Sequence, residues 1–403
     1  MSDEKVLTKE IAEQFLDRDN YVGLGEFTAI EDEAAEILGR CEYSLDLSGL
    51  TSLSDAAAES LGRHQGDIEL GGLTELSDAA AKSLSQNQGG LGLSGLTSLS
   101  DAAAEHLAEL SDTVADGVSQ YPGCLWLNGL TELSDAAAQS LSQNRGGLLL
   151  GGLTSLSDAA AESFSKHEGD LHLDSLASLS EAAAQGLGRH KGDVHLDSLV
   201  ELSDTAAESL SKVEGRVHIY GVKTITAGTG HLSLIRSCVE HTVEELALSA
   251  SEISDEAIAI LSKLEHPLEL MELTALSDSA AELFRTRGRS LIMPELVEVS
   301  PKAAASLAAL CNLCDVAEET CHFDVDNWSG GAARAFDTAR VVGADEEEGP
   351  LIKVACRKCG MSETFHLRIY YMEPWEGYDG ELAESGWQRF EDGWCCESCV
   401  DNG

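Results

Sequence analysis

Residues 50–61 read LTSLSDAAAESL, and this phrase returns along the chain almost unchanged. Its acidic position recurs every 23 residues within two series, first at Asp32, Asp55, Asp78 and Asp101, then at Asp135, Asp158, Glu181 and Asp204. The two series are separated by 11 extra residues. A fixed period of this length is typical of repeat proteins, in which every repeat is one small supersecondary element.

Each repeat combines a strand pattern with a helix pattern. Leucines alternate as L-x-L ahead of the quoted phrase, as at Leu148 and Leu150, which predicts a short strand. The S-D-A-A-A segment predicts a short helix, because serine is a good N-cap and aspartate favours the positive end of the helix dipole. One strand and one helix cannot bury a core alone, so about twelve stacked repeats are predicted to share one.

The repeats resemble the leucine-rich repeat, and specifically its 23-residue bacterial-type variant. The resemblance covers roughly residues 7–310 and implies an α/β solenoid that binds proteins. One position departs from the family, because Leu73, Leu96 and Leu153 replace the asparagine of the LxLxxN motif. The buried asparagine ladder of the family is therefore missing, and the turn after each strand must be held differently.

The repeat pattern also predicts the domain organisation. Residues 1–310 are expected to form the leucine-rich-repeat-like solenoid, with LTKEIAEQFL (7–16) as its N-terminal helical cap. Residues 311–343 lose the pattern and are predicted to form a C-terminal cap. The stretch ADEEEGP (344–350) is predicted to be an acidic linker, and residues 351–403 a small zinc-ribbon-like module.

Charge and hydropathy exclude several classes of protein. The 403 residues carry 71 acids and 26 bases, a formal charge of −45, so the chain repels nucleic acid and anionic membranes. No apolar run is long enough to span a bilayer, and the acidic start is unlike a secretory signal. These features predict a cytoplasmic protein whose partner has a basic surface, unless the acidity serves only solubility.

Two CxxC pairs in the C-terminal module predict a zinc site. The pairs are Cys356 with Cys359 and Cys396 with Cys399. Four thiolates on two tight turns close a tetrahedral site, so this Zn²⁺ is predicted to be structural. Disulfides are disfavoured without a secretory signal, and neither pair opens a helix as a redox CxxC would.

The resemblance to zinc ribbons leaves a regulator that contacts nucleic-acid machinery as one alternative function. The segment from Asp345 to Gly403 has five bases and fourteen acids, a charge of −9, which disfavours direct nucleic-acid binding.

A second group of residues that could bind a metal precedes the C-terminal module, at Cys311, Cys314, Cys321 and His322. Cys311 continues the apolar register of a helix, which favours packing over metal binding there.

The most distinctive pattern within the solenoid is a row of histidines on its exposed face. The residue between the two core positions of each strand points away from the core. In successive repeats this residue and the one two positions later give a candidate partner-binding face of Trp126, His172, Asp174, His195, Asp197, His218 and Tyr220.

Three interpretations of this row remain open from the sequence. The row can be neutral drift in a repeated exposed position, a protein-binding surface flanked by aromatic residues, or a metal-dependent hydrolytic site on His172, His195 and His218. The chain lacks GxxxxGK[ST], GxSxG and HExxH motifs and a Rossmann glycine pattern. The favoured function is therefore a non-enzymatic protein–protein interaction scaffold, without catalytic residues.

Overall fold

The computed structural model describes residues 5–17, 22–41, 43–110, 123–287, 289–316 and 321–339, together with strand segments at 341–345, 349–355, 362–366, 388–390 and 393–395. The chain divides into two compact units. The first unit is Met1–Val222 with Gly228–His241, and the second is Lys223–Ala227 with Thr242–Gly403.

The first unit is built from the predicted strand–helix repeats. Its parallel eight-stranded sheet runs in chain order through Leu45–Asp46, Ile68–Glu69, Leu91–Gly92, Leu125–Trp126, Leu148–Leu149, Leu171–His172, Val194–His195 and Val217–His218. Its helices are Lys9–Leu16, Asp32–Leu38, Asp55–Leu61, Asp78–Leu84, Asp101–Leu107, Asp135–Leu141, Asp158–Phe164, Glu181–Leu187, Asp204–Leu210 and Thr229–His241. A two-strand sheet, Val6–Leu7 with Ala29–Ile30, and a 3₁₀ turn, Leu24–Glu26, precede the eight-stranded sheet.

The core of this unit lies between the sheet and the row of helices. Leu148, Leu150 and Leu153 of one repeat are fully buried, as are the two helix alanines Ala160 and Ala161 to within 1%. Burying a leucine contributes roughly 2 kcal/mol, and each repeat supplies several of them. The small alanines let neighbouring helices approach closely, so the predicted leucine core is confirmed.

A contact between a serine and a carboxylate links seven helices of the first unit to the repeat before them. Ser157 Oγ accepts a hydrogen bond from Ala160 N (3.0 Å) and so caps its own helix. The same hydroxyl donates to Asp135 Oδ1 of the repeat before (2.5 Å). Equivalent donations run from Ser54, Ser77, Ser100, Ser134, Ser180 and Ser203, with Glu181 as the acceptor for Ser203. The sequence motif therefore serves helix capping and repeat stacking together.

Glycines hold the turns ahead of the strands in close backbone contact. A Cβ placed on Gly169 would lie 2.2 Å from the carbonyl oxygen of Gly146, one repeat earlier. No side chain fits at that distance, so the column of glycines sets how closely successive repeats stack. Gly71, in contrast, has no atom within 4 Å of such a Cβ.

In five repeats of the first unit a buried polar side chain lies in the loop between the helix and the following strand, whereas Leu110 and Val213 take this position in two others. His64, Asn87, Asn144, His167 and His190 occupy this position in their repeats and are at most 2% exposed. His167 Nδ1 lies 2.9 Å from the Asn144 carbonyl oxygen, and the two nitrogens of His190 lie 3.0 and 2.9 Å from the carbonyl oxygens of Phe164 and Gly169.

The side chains of Asn87, His167 and His190 thus reach buried loop carbonyl oxygens, whereas the side-chain amide of Asn144 has no hydrogen-bond partner among the described residues. Leu73, Leu96 and Leu153 are fully buried where the family carries its asparagine. The polar ladder of this protein thus lies at a different point of the repeat from the family's asparagine ladder.

The second unit continues the strand–helix pattern with longer strands. Its four-stranded parallel sheet consists of Leu246–Leu248, Leu268–Leu270, Leu291–Met293 and Cys321–Phe323, and its helices are Asp255–Leu261, Asp278–Phe284, Pro301–Val316 and Gly330–Ala339. Short parallel pairs join Thr224–Ile225 to Glu252–Ile253 and Ala275–Leu276 to Glu298–Val299. A 3₁₀ turn covers Val325–Asn327.

The repeat sheet extends beyond residue 310, where the sequence analysis ends the solenoid. Cys321–Phe323 pairs in parallel with Leu291–Met293, and the helix Pro301–Val316 runs through the predicted boundary. The side chains of Phe323, Trp328 and Phe336 cluster with ring centroids 5.3–6.2 Å apart. Trp328 Nε1 donates to the Leu296 carbonyl oxygen at 2.6 Å, so this aromatic cluster covers the end of the sheet.

The remaining described segments form antiparallel sheets. Val341–Asp345 pairs with Gly349–Ala355, which in turn pairs with Ser362–His366, so both ends of the predicted acidic linker belong to strands. Gln388–Phe390 and Gly393–Cys395 form a hairpin. Among the residues that the structure describes, no helix combines the length and apolar character needed to cross a membrane.

Candidate functional site

The strand register gathers the predicted binding residues on one surface. Cα pairing runs directly from Trp126 through Leu149, His172 and His195 to His218. We call this surface the histidine face, and it comprises Trp126, Leu149, His172, Asp174, His195, Asp197, His218 and Tyr220. All of these side chains are half-buried except Tyr220, which is 41% exposed.

The three imidazoles form a continuous stack. The His172 and His195 ring centroids lie 3.8 Å apart with an interplanar angle of 11°, and those of His195 and His218 lie 3.9 Å apart at 7°. The stack follows from the repeat, because directly paired residues on neighbouring parallel strands share one orientation and a spacing of about 4.8 Å. The rings therefore present one continuous flat edge.

Burial depresses the pKa of two histidines of the stack, His195 and His218. The pKa of His195 falls to about 4, mainly through burial and then through the neighbouring rings of His218 and His172. Burial also lowers the pKa of His218, against the opposing effect of Asp197. His195 is therefore neutral at pH 7, and the middle of the stack carries no positive charge there.

Carboxylates lie along the edge of the stack. His172 Nδ1 is 3.6 Å from Asp174 Oδ2, and Asp197 Oδ1 accepts a hydrogen bond from the Tyr220 backbone N–H at 3.4 Å. The pKa of Asp174 is raised, mainly by burial and also by the adjacent Asp197, while His172 lowers it. The edge is thus acidic, and it opposes the approach of anionic ligands.

The same sheet face becomes more acidic toward its first strands. Asp46 and Glu69 are direct register partners, and the Glu69 carboxylate covers Gly92 on the next strand. Burial raises the pKa of Glu69, and Asp46 and Asp67 raise it further. The face therefore runs from an acidic end, across Trp126 and Leu149, to the histidine stack.

One group of side chains on the histidine face is arranged for metal binding. Donor atoms of His172, Asp174 and His195 all lie within 4.8 Å of one another, which no other group of three or more such residues achieves in the described part of the chain. His218 is part of the stack but not of this trio.

The second cysteine group is not gathered in this way. Cys311 and Cys314 are buried in the helix Pro301–Val316, and Cys314 Sγ lies 3.0 Å from Cys321 Sγ. His322 is exposed on the neighbouring strand. The four residues do not form one donor set among the described residues.

The predicted zinc ligands Cys356, Cys359, Cys396 and Cys399 lie outside the described residues.

Comparison with known proteins establishes the fold. A crystal structure of an internalin from Listeria monocytogenes is similar over 84% of this chain and 94% of its own, with a TM-score of 0.52 and 14% sequence identity. A leucine-rich repeat protein of Leptospira interrogans matches 79% of this chain and 81% of its own, with a TM-score of 0.49 and 18% identity. No protein-family model matches the chain, and no curated protein is detectably similar to it. The similarity to the internalin, together with the buried leucines of the strand–helix repeats, supports a leucine-rich-repeat-like α/β fold.

Sequence reasoning missed the interior polar ladder although a signal was present. Asn87 follows His64 by 23 residues, and Asn144, His167 and His190 also follow one another at intervals of 23 residues. Each of these five residues lies just ahead of a loop glycine. A polar residue that recurs at the repeat period indicates a structural role, although Leu110 and Val213 interrupt this series. The ladder is structural, and it leaves the exposed histidine face as the candidate site.

Proposed function

We propose that this protein is a non-enzymatic scaffold that binds a protein partner through the histidine face. The observation that carries the proposal is the ordered row from Trp126 to Tyr220, in which half-buried aromatic, aliphatic and imidazole side chains lie side by side on the solvent side of the sheet and end at the exposed Tyr220. Tryptophan and tyrosine dominate the energetics of protein interfaces, because they bury a large area at low entropic cost.

The charge of the face supports a partner with a basic surface. Asp174 and Asp197 border the stack, and Asp46 and Glu69 lie further along the same sheet. The whole chain carries a formal charge of −45. Complementary charge accelerates the encounter between this protein and a basic partner, and it disfavours binding of acidic partners, including nucleic acid and anionic lipid.

We propose that the C-terminal module is a structural zinc ribbon held by Cys356, Cys359, Cys396 and Cys399. The spacing of the two CxxC pairs supports this assignment, and the hairpin of Gln388–Phe390 with Gly393–Cys395 is compatible with the closing hairpin of such a ribbon. The net charge of −9 across residues 345–403 opposes the alternative of a nucleic-acid-binding regulator. We assign the protein to the cytoplasm, where these thiols stay reduced.

The test compares three forms of the full chain as bait in an extract of the source organism. They are the wild type, the double variant Trp126→Ala with Tyr220→Ala, and the control Gln139→Ala on the exposed side of a helix. A partner identified by quantitative mass spectrometry is then purified, and its affinity is measured by calorimetry. We expect the double variant to bind at least about 30-fold more weakly, as for the loss of interface hot spots, and the control to match the wild type. Equal affinity for all three forms would refute the proposal.

A further inference from the structure

We propose that His172, Asp174 and His195 form a binding site for a divalent transition-metal ion of the zinc class, on the exposed side of the sheet. The proposal rests on the described side chains alone, independently of the partner proposed above. His172 and His195 come from two adjacent parallel strands and are direct Cα partners. Asp174 lies in the turn that follows the strand of His172, and its carboxylate lies beside the His172 ring.

The donor atoms are close enough for a metal after small rotations of the side chains. All three lie within 4.8 Å of one another, and His172 Nδ1 is already 3.6 Å from Asp174 Oδ2. A tetrahedral ion with bonds of about 2.0–2.2 Å needs its donors about 3.3 Å apart. The side chains of His172 and Asp174 are 28% and 38% exposed, so rotation about χ1 and χ2 has room to close the remaining gap.

The donor set selects the class of ion. Two imidazoles and one carboxylate suit Zn²⁺, Co²⁺, Ni²⁺ and Cu²⁺, whereas Ca²⁺ and Mg²⁺ prefer sets of oxygen ligands. Three protein ligands leave a fourth position open to solvent, because the trio stands on the exposed sheet face. Such a position accepts water or a donor group from another molecule.

The surroundings favour a cation at this point. Asp174 and Asp197 lie at equivalent repeat positions, in the turns that follow neighbouring strands, and the two carboxylates repel each other when both are ionised. A divalent ion held by Asp174 offsets that repulsion. No lysine or arginine forms an ion pair with Asp174 or Asp197 among the described residues.

Metal counting on matched variants of the full chain tests the site. Zn²⁺ binding is measured by equilibrium dialysis and elemental mass spectrometry for the wild type, His195→Ala, Asp174→Asn and His218→Ala. The four C-terminal cysteines are the same in all four proteins, so their zinc cancels in the comparison. His218→Ala is the matched control, because it removes a ring from the stack but no member of the trio.

We expect His195→Ala and Asp174→Asn each to bind one equivalent of zinc fewer than the wild type at low micromolar free zinc, and His218→Ala to keep the wild-type count. Circular dichroism of each variant checks that the repeats remain folded. An unchanged count in His195→Ala would overturn the proposal, and so would an equal loss in His218→Ala. Neither result depends on a protein partner, so the scaffold function can fail or stand separately.

Discussion

Replacement of His167 by asparagine is predicted to make the stability of the protein less sensitive to acid. His167 is fully buried, and its Nδ1 contacts the Asn144 carbonyl oxygen. Its pKa falls from 6.5 to about 4, chiefly through burial and then through the ring of His190, while Asp170 opposes the shift. Asn144 occupies the same position one repeat earlier, so an asparagine fits this site without a protonatable ring.

The sign and size of the effect follow from the lowered pKa. The unfolded chain takes up a proton at His167 below pH 6.5, whereas the folded chain resists it until about pH 4. Stability is therefore fully present above pH 6.5 and is lost as the pH falls toward 4. At 1.36 kcal/mol per pKa unit, the loss is about 2 kcal/mol at pH 5 and approaches about 3 kcal/mol below pH 4.

Urea denaturation at pH 7 and pH 5, followed by circular dichroism, measures this difference. Other acidic groups titrate in the same window, but they are common to both proteins and cancel between wild type and His167→Asn. We expect the wild type to lose about 2 kcal/mol more than the variant between the two pH values. Equal losses would refute the account of His167 as a neutral, buried loop anchor.

Further predictions concern stacking, the partner and zinc. Ser157→Ala should lower the free energy of unfolding by about 1–2 kcal/mol, because it removes a helix cap and the hydrogen bond to the preceding repeat. The control Ser163→Ala should lower it by under about 0.5 kcal/mol, because the Ser163 hydroxyl donates within its own helix. Gly169→Ala should cost about 3 kcal/mol or prevent folding, while Gly71→Ala should be tolerated in the same urea titration. Association with the partner should slow as salt rises, in stopped-flow measurements. Cys359→Ser should release one zinc measured by elemental analysis.

Much of the fold could be predicted, because the same strand and helix pattern recurs in successive repeats of the sequence. The alternation at Leu148 and Leu150 defines a strand, and Ser157 defines the start of a helix. The second bond of Ser157, to Asp135, could not be predicted, because it depends on how one repeat rotates against the next. The boundary near residue 310 was equally hard to place, since the strand Cys321–Phe323 lacks the leucine pattern.

The repeat period predicts which residues share the histidine face, but not that Asp174, rather than His218, lies within ligand distance of His172 and His195. The period places His172, His195 and His218 in register, and the stack follows directly from parallel pairing. The approach of Asp174 to His172 depends on side-chain rotamers, which a repeat pattern does not determine. The interior role of His167 was missed because exposure in a loop cannot be read from residue type alone.

Hydroxyl-radical footprinting of the full chain, with and without its purified partner, tests the central claim most directly. Trp126 and Tyr220 belong to the histidine face, and Tyr43, which is about as exposed as Tyr220, lies ahead of the first strand of the eight-stranded sheet. We expect the partner to slow oxidation of Trp126 and Tyr220 severalfold and to leave Tyr43 unchanged. Unchanged oxidation of Trp126 and Tyr220 in a saturated complex would contradict the claim that the partner binds this face.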